Sequence, residues 1–261
     1  VETAFAFEQA GAIADRVHVA RLLENPHRLQ DYQILCIPGG FSYGDDIAAG
    51  RILATQLRVH LSEVLTEFCS QDRLILGICN GFQVLLKAGL ILPPEPEAGI
   101  PATLTWNNSG RYEDRWVYLR VTGRDCVFLR GIEGLYLPVA HAEGKFVARD
   151  PETLRRLETS GQLVLRYCLP PEVSRRQETP QNAAHAPDWE EFSRPVPFPW
   201  NPNGSDANVA GVCDATGRIF GLMPHPERFI DPTQHPRWTR GEARPEGDGL
   251  QLFRNAVQYF A

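Results

Sequence analysis

Residues 77–81 read Gly-Ile-Cys-Asn-Gly, the stretch of this chain best suited to covalent chemistry. Upstream, Arg73-Leu74-Ile75-Leu76 is short and apolar enough for a buried strand; downstream, Phe82 to Lys87 has helical spacing. A cysteine on such a strand-to-helix turn is held in strained backbone, and the glycines permit the turn and let neighbouring chain pass close by. The thiol of Cys79 then stands at the carboxyl edge of a sheet. A helix N-terminus lies beside it, and the helix dipole there favours the reactive thiolate. An isolated Gly-x-Cys-x-Gly fits a buried cysteine on a glycine-rich turn equally well. The rest of the chain has to decide between the two.

Met223-Pro224-His225-Pro226-Glu227 is the second constellation. Two prolines discourage helix, and in extended chain the i, i+2 spacing puts His225 and Glu227 on one face. An imidazole beside a carboxylate is what a thiol nucleophile needs. The carboxylate fixes the ring's tautomer and orientation, and the ring takes up and returns the proton. Pro38-Gly39-Gly40-Phe41 supplies a third part. A Gly-Gly turn after a strand exposes backbone N–H groups which, with the N–H of Asn80, would face a developing oxyanion. His141, two residues before Glu143, has the same spacing as His225 and rivals it as general base. A structural histidine with its hydrogen bonds satisfied is an equal reading of His141.

The elements that must position these residues alternate between strand and helix. An amphipathic helix opens the chain over Val1–Ala14, followed by a short apolar run at Val17–Ala20. An apolar run at Tyr32–Ile37, one or two helices within Ile47–Phe68, a strand at Leu74–Ile78 and a helix at Phe82–Ala88 come next. That order predicts an α/β fold, a mostly parallel sheet with helices on both faces and its active site beyond the carboxyl ends of the strands. From Ala102 to Val147 short β-like runs (Trp116–Val121, Leu135–Ala140, Phe146–Ala148) predict an antiparallel extension. A helix at Pro151–Ser160, a strand at Leu163–Cys168, a hairpin of Asn208–Cys213 with Arg218–Met223 and a last helix at Gly249–Phe260 follow. Residues 169–203, rich in Pro, Glu, Gln and Arg, read as a long surface loop.

Composition narrows the class. A chain of 261 residues, 43% apolar and 22% charged, suits one large globular domain. A net charge of −6 without a basic run gives no attraction for nucleic acid or an anionic membrane. No apolar stretch is long enough to span a bilayer. Six scattered cysteines without a Cys-x-x-Cys pair favour neither a zinc site nor a disulfide framework, and fit reduced thiols in a cytoplasmic protein. Cys36, within Ile34-Leu35-Cys36-Ile37, reads as a small core residue.

Four segments together carry a family resemblance: Pro-Gly-Gly-Phe-Ser-Tyr-Gly-Asp at 38–45, Gly-Ile-Cys-Asn-Gly-Phe-Gln at 77–83, Asn-Pro-Asn-Gly-Ser at 201–205 and Met-Pro-His-Pro-Glu-Arg at 223–228. The chain resembles the class I glutamine amidotransferases, which are flavodoxin-like, and more narrowly the glutaminase subunits of phosphoribosylformylglycinamidine synthase. The resemblance implies a single amidotransferase domain over 1–261, with Cys79 as nucleophile, His225 as base and then acid, Glu227 as its orienter, and Gly40 and Asn80 as oxyanion donors. Gln83, Asn107, Ser109 and His141 would touch glutamine. Two segments depart mildly from the family pattern: Tyr112 stands for Phe in Asn107–Tyr112, and Ala142 for Gly in His141-Ala142-Glu143-Gly144.

By the same resemblance, glutamine is hydrolysed through a thioester on Cys79. The ammonia passes to a synthetase partner that converts formylglycinamide ribonucleotide to the amidine with ATP and Mg, in a complex with room for a third small subunit. No cofactor or metal is implied for this chain itself. A first strand that family members carry ahead of the opening helix is absent from the sequence, and such a strand is expected mid-sheet. Two other readings stay open: another cysteine hydrolase on the same fold, and a non-catalytic assembly subunit.

Overall fold

In a computed structural model, residues 1–45, 47–123, 125–171, 194–241 and 245–261 are described. The strands are β1 (Ile34–Ile37), β2 (Leu74–Ile78), β3 (Ala102–Thr105), β4 (Glu113–Val121), β5 (Gly134–His141), β6 (Lys145–Ala148), β7 (Leu165–Cys168), β8 (Val209–Cys213) and β9 (Ile219–Leu222). Among the helices are α1 (Glu2–Gln9), α2 (Val19–Glu24), α3 (Arg51–His60), α4 (Ser62–Ser70), α5 (Asn80–Ala88), α6 (Pro151–Thr159) and α7 (Leu250–Gln258). Seven strands form one sheet in the order β1-β2-β9-β8-β7-β4-β5, while β3 and β6 pair apart from it.

The direction of each strand decides where the chemistry can be assembled. β1, β2 and β9 are parallel; β8, β7, β4 and β5 are each antiparallel to the strand before. Counting through those reversals, β5 runs the same way as β1, β2 and β9. The carboxyl ends of all four therefore open on one edge of the sheet. Those ends lead directly into Gly39-Gly40, Cys79, His225 and His141.

The core sits under this edge. Every residue of β2, β8 and β9 is buried, as expected of strands covered on both faces. Helix α5 seals the site's floor with Phe82, Val84, Leu85 and Leu86, each almost wholly enclosed. Burying each such side chain contributes about 1.5–3 kcal/mol before entropic costs. The two glycines around Cys79 allow that close packing. A Cβ on Gly81 would lie 1.8 Å from the Ile37 carbonyl oxygen, and one on Gly77 would lie 2.6 Å from Leu85 Cδ1. The helix can press onto β1 and β2 only because both positions lack a side chain.

Several expectations change. The opening helix stops at Gln9 rather than Ala14, because Gly11 takes a left-handed φ of 97° past its end. Phe146–Ala148 does not extend the main sheet: β6 joins β3 in a separate antiparallel ribbon. The antiparallel part of the main sheet is made instead by β4, β5, β7 and the β8–β9 hairpin. Among the described residues the seven strands of the main sheet run on without interruption, and β1 forms one edge. Cys36, on that edge strand, is only half-buried, whereas Cys126 and Cys213 lie in the core; all six thiols are free. Most of the loop expected over 169–203, including Trp189 and Phe192, falls outside the described residues.

Candidate active site

Cys79 caps α5 with φ 51° and ψ −104°, a conformation most side chains avoid. The strain lies at the cysteine itself, and neighbouring contacts hold it there. Its N–H donates to the Leu222 carbonyl at 2.8 Å, tying the turn to β9. Its Sγ lies 3.7 Å from the Ala140 carbonyl, at the end of β5. The first N–H groups of α5, Asn80 among them, have no intrahelical acceptor and face the same edge.

His225 follows β9 and is anchored by its N–H to the Pro138 carbonyl of β5 at 2.8 Å. Its Nδ1 donates to Glu227 Oε1 at 2.7 Å, with both side chains buried. Burial disfavours charge on the ring, yet the Cys79 thiol beside it and the Glu227 carboxylate outweigh burial and raise its pKa to about 9. The ring is therefore an imidazolium near neutral pH. Its Nε2 closes no hydrogen bond of normal geometry, although the thiol stands near enough to stabilise its charge. Gly39 leaves room for this pairing: a Cβ there would sit 2.7 Å from His225 Cε1 and 3.5 Å from Cys79 Cβ.

A cavity of about 230 Å³ opens over these groups, lined by Gly40, Cys79, Gln83, His141 and His225 among others. Gly40 reaches it with φ 117°, open to glycine alone. Gln83 lines the cavity with its amide half engaged: Nε2 donates one hydrogen to the Glu143 carbonyl at 2.6 Å and Oε1 accepts from Asn80 Nδ2 at 3.0 Å. The walls carry both signs of charge, Asp45 and Glu143 against Arg228. That distribution matches a zwitterionic amino acid. Sequence reasoning gives Asp45 and Arg228 no role, and Glu143 only that of a neighbour to His141. Asp45 and Arg228 lie inside the motifs quoted above and Glu143 two residues from His141, yet only the fold brings them round one hollow.

Two residues expected at the substrate lie off the cavity. Asn107 spends its whole amide on protein: Nδ2 donates to the Arg111 and His141 carbonyls at 2.9 and 2.8 Å, and Oδ1 accepts from His141 Nδ1 and Gly144 N–H at 3.1 Å each. Ser109 turns away and bonds Glu113 at 2.8 Å. Neither lines the cavity. Asn201, Asn203 and Ser205 are likewise a brace. Asn203 Nδ2 donates to the Gly144 carbonyl at 2.7 Å and to the Tyr167 hydroxyl oxygen at 3.1 Å, and Ser205 Oγ accepts from the Phe146 N–H at 2.9 Å. Among the described residues no cluster of three or more His, Cys, Asp and Glu is placed to hold a metal ion, and no helix is long and apolar enough to cross a membrane.

A buried cysteine on a strained elbow beside a His–Glu pair, with Gly40 lining the same hollow, has the groups needed to form and hydrolyse an acyl-thioester. Comparison with known proteins agrees with that chemistry. The CobB/CobQ-like glutamine amidotransferase domain matches residues 1–189 and 190–260. The phosphoribosylformylglycinamidine synthase subunit PurQ of Dehalococcoides mccartyi is 46% identical over 260 residues, covering 99% of this chain and 92% of that protein. Its counterpart from Methanococcus maripaludis is 40% identical over 270 residues, covering 99% and 92%. Among solved structures, PurLQS from Thermotoga maritima contains a chain that superposes with TM-score 0.64 at 26% identity, over 100% of this chain and 92% of that one. The chain thus belongs to the CobB/CobQ-like glutamine amidotransferase family, as a PurQ-type member.

Proposed function

We propose that this chain is the glutaminase subunit of a phosphoribosylformylglycinamidine synthase, releasing ammonia from glutamine for a synthetase partner in purine biosynthesis. The observation that carries the reading is the buried Cys79–His225–Glu227 set on the wall of a cavity with charges of both signs. The Cys79 thiolate attacks the side-chain amide carbon, and the backbone N–H groups of Gly40 and Asn80 hold the oxyanion. His225 gives its Nε2 proton to the departing nitrogen, leaving a γ-glutamyl thioester. Water then attacks the thioester, His225 takes the water's proton, and Cys79 leaves as thiolate. Glu227 holds the ring throughout.

In this reading residues 1–261 act as one amidotransferase domain in the cytoplasm, and ATP and Mg serve the synthetase rather than this chain. The rim of the cavity supports docking of a partner. Phe41, Trp106 and Tyr112 line it and are 71%, 59% and 52% exposed, and apolar surface beside an active site marks an interaction site. Closing that rim would complete the oxyanion hole and keep ammonia from solvent. Glutamate release from glutamine is expected to rise about tenfold or more when the cognate synthetase is added. Equal turnover with and without the synthetase would refute the coupling, and no release under either condition would refute the glutaminase reading.

A further inference from the structure

His141 remains without a task in that mechanism. It ends β5, is 3% exposed, and lines the same cavity as Cys79 and His225. Its ring is fixed on one side. Asn107 Nδ2 faces two carbonyls, so Asn107 Oδ1 is the acceptor end and His141 Nδ1 must carry the hydrogen. The tautomer is thereby set, and Nε2 is an unprotonated lone pair. Gly144 packs flat against the ring edge, where a Cβ would lie 2.3 Å from Nδ1 and Cε1 and 2.6 Å from Nε2. Among the described residues no donor meets Nε2.

An unpaired acceptor in so enclosed a place is costly unless the reaction supplies its donor. The site therefore holds two buried ring nitrogens without closed hydrogen bonds: His225 Nε2, which carries a proton, and His141 Nε2, which does not. We infer that His141 Nε2 accepts a hydrogen from the glutamine side-chain nitrogen and holds that nitrogen as it leaves as ammonia. This role rests on the glutaminase reading above. His225 supplies the proton that makes the nitrogen a leaving group. Its N–H bonds become stronger donors as positive character grows, so the contact with His141 tightens at the transition state and then releases neutral ammonia. Burial, and the charged His225 nearby, hold the His141 pKa down to about 3, so the ring stays an acceptor through the cycle. In this role His141 is a catalytic residue that transfers no proton.

Two substitutions separate this role from a structural one. In His141→Asn the amide nitrogen can take the place of Nδ1 and keep the Asn107 bond, but nothing reaches the Nε2 position. In His141→Gln the side-chain oxygen can take the place of Nε2 and the Asn107 bond is lost. Glutamate release by the complex with its synthetase is the readout, with glutamine-independent, ammonia-supported synthesis as control for assembly. The expected result is a fall in kcat of about 10–100-fold in His141→Asn with KM changed less than about threefold, and recovery of most of that loss in His141→Gln. His141→Asn as active as the unsubstituted protein, or His141→Gln the weaker of the two, overturns the proposal and leaves a ring that only braces Asn107. Failure of the unsubstituted complex to release glutamate overturns the glutaminase reading and this proposal with it.

Discussion

Cys79→Ala is expected to lower glutamine-dependent glutamate release by about 10⁴-fold or more, while ammonia-supported synthesis by the assembled complex persists. The size of the loss follows from the site's construction. Among the described residues no second thiol lines the cavity, so no other cysteine is placed to take over the attack. The fold should tolerate the change well. Alanine removes one sulfur, and the glycine-dependent approach of α5 to β1 at Gly81 is untouched by the change. Glutamate release, ammonia-supported product formation and the unfolding midpoint, measured on one preparation, check the claim. Retained glutaminase activity would remove Cys79 from the mechanism.

The second large effect belongs to His225. His225→Ala should cost about 10²–10⁴-fold in kcat, the usual range for a positioned acid–base. Glu227→Gln should cost less, because glutamine can still orient the ring but no longer supplies charge. The two also differ in pH dependence. The His225 pKa stands at about 9 in the folded protein against an ordinary value of 6.5, with Cys79 and Glu227 raising it against burial. Activity that needs the imidazolium should therefore hold through neutral pH and decline as pH rises through about 9. Stability follows the same direction: the part contributed by this charge is whole below about pH 6.5 and is lost toward pH 9. Removing the Glu227 charge lowers the ring's pKa, so the alkaline decline should begin at lower pH in Glu227→Gln. A decline that moves upward, or a larger loss from His141→Ala than from His225→Ala, would reassign the base.

The sequence was readable where chemistry is local. Gly77 and Gly81 mark the elbow because no other residue lets a helix lie so close to two strands, and Pro224 and Pro226 mark the His–Glu pair because they hold the segment out of helix. The catalytic edge could be located in outline, since β1, β2 and β9 end in these same motifs. Other features depend on partners remote in the chain. β3 and β6 carry the same alternating pattern as β4 and β5, and nothing within either strand says which sheet it joins. The resemblance implies a substrate contact for Asn107 and Ser109. The direction of the Asn107 amide is set by Arg111, His141 and Gly144, and only the folded chain brings those three together. The opposed charges of Asp45, Glu143 and Arg228 become one cavity wall only when the strand ends converge.

The central claim is that one thiol in this chain carries the γ-glutamyl group, and an electrophilic diazoketone analogue of glutamine tests it most directly. Intact-mass measurement after incubation should show one adduct per chain, mapped to Cys79 by peptide analysis, prevented by excess glutamine and absent from Cys79→Ala. Cys36, Cys69, Cys126, Cys168 and Cys213 should stay unmodified. Inactivation that tracks modification of another residue, or full glutaminase activity in protein whose Cys79 is completely alkylated, would contradict the account.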